Sequence, residues 1–130
     1  MTILLDSSVI IHAQRLPYSD ITVHLGEILA SGEAVVAGPV IMEFIRGAKS
    51  QEQMDRFTRT VVSIDFLETD QAVWVTAGRL WIQLKRRGLY LATSNIVIAA
   101  TAIRHDVPLY TLDKDFNRIP ELKLYQPSSV

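Results

Sequence analysis

The sequence predicts an α/β fold built on a mainly parallel sheet, and three observations carry that prediction. Helical and strand-like patterns alternate along the chain, the arrangement that lays helices against the faces of a parallel sheet. Ile3-Leu4-Leu5 and Ala34-Val35-Val36-Ala37 show no polar alternation, as suits strands covered on both faces. At 130 residues, with 48% hydrophobic and 21% charged side chains, the chain is sized for one domain, residues 1–130, with a proper core.

Each element has its own justification. The first strand, Ile3 to Leu5, runs into Asp6, and Val9 to Gln14 extend as a short helix before Pro17, with Ser7 or Ser8 as N-cap. Asp20 is placed to cap a second helix whose apolar residues Ile21, Val23, Leu25, Ile28 and Leu29 run to Gly32, a common stop. After the strand Ala34 to Ala37, Gly38-Pro39 opens a third helix over Val40 to Ala48, because proline suits a first helical turn. Ser50 starts a helical segment reaching about Thr60, and Val61-Val62-Ser63-Ile64 is the candidate third strand.

Asp70 to Arg87 is the longest helical pattern, with Val73, Trp74, Ala77, Leu80, Trp81 and Leu84 at three- and four-residue spacing. It ends in Lys85-Arg86-Arg87-Gly88, cations in the last turn and a glycine after them. Thr93, Ser94 and Asn95 offer N-caps for Ile96 to Ile103, a helix apolar almost all round and therefore expected to be buried. Val107 to Thr111 is the fourth strand, and Leu122 to Tyr125 a last one before a loose tail, for a sheet of four or five strands.

Composition excludes several chemistries. The chain has no cysteine, so disulfides, zinc thiolate sites and cysteine nucleophiles are out, and any metal must be held by oxygen or histidine. No apolar run approaches a membrane span and the N-terminus lacks signal-peptide character, which predicts a cytoplasmic protein. A net charge of −1 argues against bulk attraction to nucleic acid, though a local basic face can coexist with an acidic pocket.

The carboxylates fall into two groups. Asp20, Glu27, Glu33, Glu52, Asp55, Glu68, Asp70 and Glu121 stand at caps or polar faces, where solvated charge is the default. Asp6 and Asp113 each follow an apolar strand run, Asp115 comes two residues later, and Glu43 interrupts an apolar helix face. In a right-handed parallel sheet the ends of the first and fourth strands can be neighbours, and ligands bind outside such carboxyl ends. Like charges brought that close need something positive among them. A cluster of oxygen ligands favours Mg²⁺ or Mn²⁺ over zinc.

Four motifs, Leu4-Leu5-Asp6-Ser7-Ser8-Val9-Ile10, Met42-Glu43-Phe44-Ile45-Arg46-Gly47, Ile98-Ala99-Ala100-Thr101-Ala102 and Leu109-Tyr110-Thr111-Leu112-Asp113-Lys114-Asp115-Phe116, occur in this order across essentially the whole chain. Together they resemble a PIN domain, and more narrowly the VapC toxins of toxin–antitoxin pairs. The resemblance implies a three-layer sandwich and a Mg²⁺- or Mn²⁺-dependent endoribonuclease, a homodimer inhibited by a partner antitoxin. It implies Asp6, Glu43 and Asp113 as metal-binding catalytic carboxylates, Asp115 as an auxiliary acid, and Ser7, Ser8 and Thr111 as hydroxyls that orient ligands or water. In an RNA-cutting enzyme, Arg46, Lys49 and Arg86 become candidates for backbone contact, and Trp74 and Trp81 for the core or a dimer interface.

One position departs from the pattern. Three residues before the Ile-Ala-Ala-Thr-Ala run the family usually carries aspartate, and here stands Asn95. Its amide can cap the helix or offer a neutral carbonyl to a cation, at the loss of one negative charge. The alternative is therefore a catalytically weakened module acting through antitoxin or RNA binding. A flavodoxin-like phosphoacceptor would need a carboxylate pair after the first strand, where Asp6 is followed by two serines.

Overall fold

The computed structural model describes residues 1–127. Strands β1 (Ile3–Leu5), β2 (Ala34–Val36), β3 (Asp65–Phe66) and β4 (Leu109–Tyr110) form an all-parallel sheet in the order β3-β2-β1-β4. Leu4 stands opposite Val35 on one side and Leu109 on the other, so β1 is interior and carries Asp6 at its exit. Successive strand side chains face opposite sides of a sheet. Ile3, Leu4 and Leu5 are all buried, so both faces are covered and the architecture has three layers.

The covering helices are α1 (Ser7–Arg15), α2 (Asp20–Ala30), α3 (Gly38–Ile45), α4 (Gln51–Val62), α5 (Gln71–Arg86) and α6 (Thr93–His105). Helix α6 is the most enclosed: every residue from Asn95 to Ala102 is buried. It packs along α5, which presents Val73, Ala77, Leu80 and Leu84 at helical spacing, and it also touches α3. Each large aliphatic side chain so buried contributes about 1.5–3 kcal/mol before conformational entropy is counted. Phe44 of α3 stacks on Phe57 of α4 with ring centroids 4.8 Å apart, closing the core beside Glu43.

Several sequence expectations are corrected. Residues 61–64 do not form a strand: α4 continues to Val62, because Val61 lies one helical turn after Phe57 and both are buried, and pairing begins only at Asp65. Tertiary burial here overrides the β-preference of paired valines. Ser19, not Asp20, caps α2, its hydroxyl accepting from Thr22 N at 3.2 Å. Trp74 and Trp81 are 55% and 40% exposed, so neither belongs to the core of this chain. The last strand reduces to a bridge between Leu109 and Leu124, and the final part of the expected tail, residues 128–130, lies outside the described residues.

Two further corrections matter for the site. Neither Ser7 nor Ser8 caps α1; Asp6 holds the cap position and makes no side-chain capping bond. Helix α6 begins at Thr93 after Ala92, and none of Thr93, Ser94 or Asn95 caps it. The polar side chains at both helix starts are engaged elsewhere.

Candidate active site

Ser7, Ser8, Ser94 and Asn95 donate instead to the carboxylates of Asp6, Glu43 and Asp113, at the carboxyl end of the sheet. Asp6 follows β1 directly, and its backbone N–H donates to Tyr110 O at 2.9 Å, which fixes the first and fourth strand exits side by side. The Asp6 side chain is only 3% exposed. Its Oδ2 accepts from Ser8 Oγ at 2.6 Å and from Thr111 Oγ1 at 2.7 Å. These are short charge-assisted bonds that hold the carboxylate in one orientation. The plain capping role open to Asp6 is therefore not the one it has.

Glu43 lies within α3, with one carboxylate oxygen accepting from Ser7 Oγ at 3.3 Å and the other from Ser94 Oγ at 3.1 Å. Its nearest cation is Arg46 Nη2 at 4.0 Å, on a side chain 71% exposed. Such a solvated pair contributes at most about 1 kcal/mol. Asp113 caps the 3₁₀ turn Lys114–Arg118, Oδ1 accepting from Asp115 N at 2.9 Å, while Oδ2 accepts from Asn95 Nδ2 at 3.1 Å. Asp113 N donates in turn to Thr111 Oγ1 at 3.0 Å.

These bonds close a ring. From Asp6 the chain passes to Ser7, on to Glu43 and Ser94, along the backbone to Asn95, then to Asp113 and Thr111 and back to Asp6. Asp6, Glu43 and Asp113 thus share one ring of hydroxyl and amide donors, and among the described residues no cation other than Arg46 is paired to any of them. Asp115 sits beside the ring through its backbone, with no side-chain bond among the described residues. Lys49 and Arg86 make no ion pair or hydrogen bond to it among the described residues.

The donor set suits a hard cation: carboxylate, hydroxyl and amide oxygens without sulfur. Each carboxylate retains lone pairs beyond the bonds it accepts. Among the described residues no three His, Asp or Glu side chains approach one another as a ready-made ligand group. Interposed donors keep the carboxylates apart, as mutual repulsion would require. Burial first, then the neighbouring Tyr125, pushes the Tyr110 phenol above its usual range.

A family model described as PIN domain matches residues 3–122. The chain belongs to the PIN-domain family. Within it, Ribonuclease VapC1 of Methanocaldococcus jannaschii is 33% identical over 99 residues, which are 72% of this chain and 71% of that protein. A chain in the structure of VapBC2 from Rickettsia felis bound to a promoter DNA fragment superposes with a TM-score of 0.82 at 23% identity, covering 98% of this chain and 100% of that one. A chain of DNA-bound VapBC from Salmonella typhimurium gives 0.81 at 18% identity, with 96% and 97% covered. These likenesses establish the PIN fold, a four-stranded parallel sheet with six helices.

Against that family pattern, two residues gain roles that sequence reasoning did not give them. Ser94 was expected as a cap and instead donates to Glu43; the signal was a hydroxyl in the first turn of a buried helix, directly before the departing asparagine. Asn95 neither caps the helix nor stands idle. In this PIN domain its amide donates to the very carboxylate that an aspartate at that position would repel.

Proposed function

We propose that the protein is a divalent-cation-dependent endoribonuclease, the toxin of a toxin–antitoxin pair, hydrolysing RNA phosphodiester bonds at the Asp6–Glu43–Asp113 ring. The observation that carries the reading is that ring: buried or half-buried carboxylates held by hydroxyls and an amide, with the exposed Arg46 beside Glu43 as their only paired cation among the described residues. Relationship to a ribonuclease at 33% identity supports the RNA substrate, and the likeness to chains from VapBC complexes supports a protein antitoxin as partner. A homodimer completes the reading, with the half-exposed Trp74 and Trp81 as apolar surface for it to cover.

Asp6, Glu43 and Asp113 would hold Mg²⁺ or Mn²⁺, with Asn95 and Asp115 at the margin. Bound there, the cation supplies an activated water and charge neutralisation for in-line displacement at phosphorus. The chain's own part is positioning. Ser8 and Thr111 hold one oxygen of Asp6, leaving the other for a ligand. Ser7 and Ser94 steer the two oxygens of Glu43, and Asp115 N and Asn95 those of Asp113. Such outer partners set the geometry and basicity of ligating groups. Mg²⁺ keeps several waters and takes few carboxylates directly, so the reading does not need all three carboxylates to meet at one point.

Purified protein with Mn²⁺ or Mg²⁺ is expected to cut a structured RNA, and Asp6→Ala to abolish the cutting. Cutting without metal, or cutting that survives Asp6→Ala, overturns the reading. One observation favours the weaker alternative, a module that binds antitoxin or RNA with little catalysis: the Asn95 amide already occupies Asp113 Oδ2. Calorimetric titration with Mn²⁺ separates the two, since saturable binding that Asp6→Ala removes belongs to the enzyme.

A further inference from the structure

Beside the carboxylate ring lies a cavity of about 280 Å³ whose wall includes Thr111 and Asp113, so ring and cavity share two residues. Its other walls are chemically unlike the ring. Tyr125 contributes aromatic surface, backed by the buried Tyr110 ring with centroids 5.1 Å apart and planes at 56°. Tyr125 is held firmly: His24 stacks on it at 5.7 Å with an interplanar angle of 13°, and His24 Nε2 lies 2.7 Å from its hydroxyl. A tyrosine fixed on one side by another ring is a preformed platform rather than a mobile one.

Thr111, Asp113 and the Tyr125 hydroxyl are already engaged, but two amides of the wall are unspent. Asn117 and Gln126 line it as exposed amides, and neither side chain has a hydrogen-bond partner among the described residues. Lys114, also in the wall, has no ion pair there. Aromatic faces supply stacking for any base, and side-chain amides, each both donor and acceptor, are the groups that read base edges. The volume fits one nucleoside rather than a run of chain.

We propose that this cavity receives the nucleobase adjoining the scissile phosphate, with Tyr125 as stacking surface, Asn117 and Gln126 as the edge-reading groups and Lys114 facing the neighbouring phosphate. Sequence preference at one position beside the cut is the consequence. The inference rests on the ribonuclease reading for its place in a cleavage reaction, but its binding content does not.

The test therefore has two arms. In EDTA, ¹H–¹⁵N spectra of the isotopically labelled protein are followed while AMP, GMP, CMP and UMP are added separately. The side-chain amide signals of Asn117 and Gln126 are expected to shift saturably, more strongly with some bases than others, and Asn117→Ala to weaken binding about tenfold, the loss of one base-edge contact. Signals unmoved by all four nucleotides, or equal affinity in Asn117→Ala, overturn the proposal. With Mn²⁺, cleavage of an RNA randomised around a central site is mapped: Asn117→Ala and Gln126→Ala are expected to spread cutting over more bases at one flanking position, and an unchanged preference overturns the proposal. If wild-type protein does not cut at all, the ribonuclease reading falls, and the EDTA arm alone decides whether the cavity binds bases.

Discussion

The two ends of the sheet hold carboxylates under opposite conditions. At the amino end, Glu33 precedes β2 with the Met1 ammonium 3.2 Å away, and Asp106, ahead of β4, has Lys123 Nζ at 2.7 Å. Both are solvated and each has its own cation. At the carboxyl end Asp6 is buried, Glu43 nearly so, and Asp113 half-buried, yet among the described residues only Glu43 has a cation, the exposed Arg46 at 4.0 Å, and the rest of their partners are neutral donors. Burying charge without a counter-charge is costly unless hydrogen bonds or a metal compensate. One end pairs its carboxylates with cations of the chain; the other holds them mainly with neutral donors.

That contrast can be broken most directly at Asp6. Neutralising a carboxylate that is uncompensated in the metal-free protein should stabilise it, whereas the same change in a finished ion pair should not. Asp6→Asn, whose amide oxygen can still accept from Ser8 and Thr111, is expected to lose saturable Mn²⁺ binding and RNA cleavage while gaining about 0.5–2 kcal/mol of stability in EDTA, as stability–function trade-offs run. Thermal melts in EDTA and calorimetry with Mn²⁺ read the two effects. A destabilised, metal-free Asp6→Asn would mean that Asp6 is structural.

Thr111 joins the strand exits, donating to Asp6 and accepting from Asp113 N. Thr111→Val keeps the shape and removes the hydroxyl. Chemical denaturation should show a loss of about 1–3 kcal/mol, the usual effect of leaving buried partners unsatisfied. Mn²⁺ affinity should fall about 10–100-fold, the range for orienting partners of ligands. Unchanged affinity with reduced stability would confine Thr111 to the fold.

Much of this end was legible in the chain. Asp6 and Asp113 stood out because apolar strands ended on them, and Glu43 because it interrupted an apolar helix face. What could not be read was who bonds to whom. Ser94 and Asn95 look like caps because capping is a local habit of Ser and Asn, whereas their actual partners lie 51 and 18 residues away and exist only once α3, α6 and β4 meet. The 61–64 strand failed for the same reason: paired valines prefer strands locally, and packing of Val61 behind Phe57 decides otherwise. Ser19 outcompetes Asp20 as cap because its hydroxyl also meets His12 and Thr22, a local cluster that a single-position rule does not register.

Asn95 sharpens the comparison from inside the ring. Its amide is a neutral donor to Asp113 where the family pattern places a further negative charge. Asn95→Asp replaces that bond by repulsion, so the metal-free protein should lose about 1–2 kcal/mol. With Mn²⁺ the extra carboxylate should raise affinity and cleavage, and the melting temperature should recover more on metal addition than wild type does, because binding to the folded state adds stability by mass action. Equal Mn²⁺ affinity in the two proteins would assign Asn95 to holding the ring closed and nothing more.

The smallest effect is expected at the cation-paired end, and its pH dependence has a definite sign. Glu33 is held below its ordinary carboxyl value of 4.5, first by the Ser31 hydroxyl at 2.7 Å and then by its bond to the Met1 ammonium. A carboxylate whose folded pKa is depressed adds stability above its unfolded value and loses it as pH falls through the folded one. Glu33→Gln should therefore lower the melting temperature slightly at neutral pH, with the difference closing as the solution is acidified past that depressed value. Added salt should shrink the neutral-pH difference, since the Met1 contact is exposed and screened. A difference that widened in acid would mean that Glu33 is stabilised as the protonated acid, and the two ends of the sheet would then not differ as described.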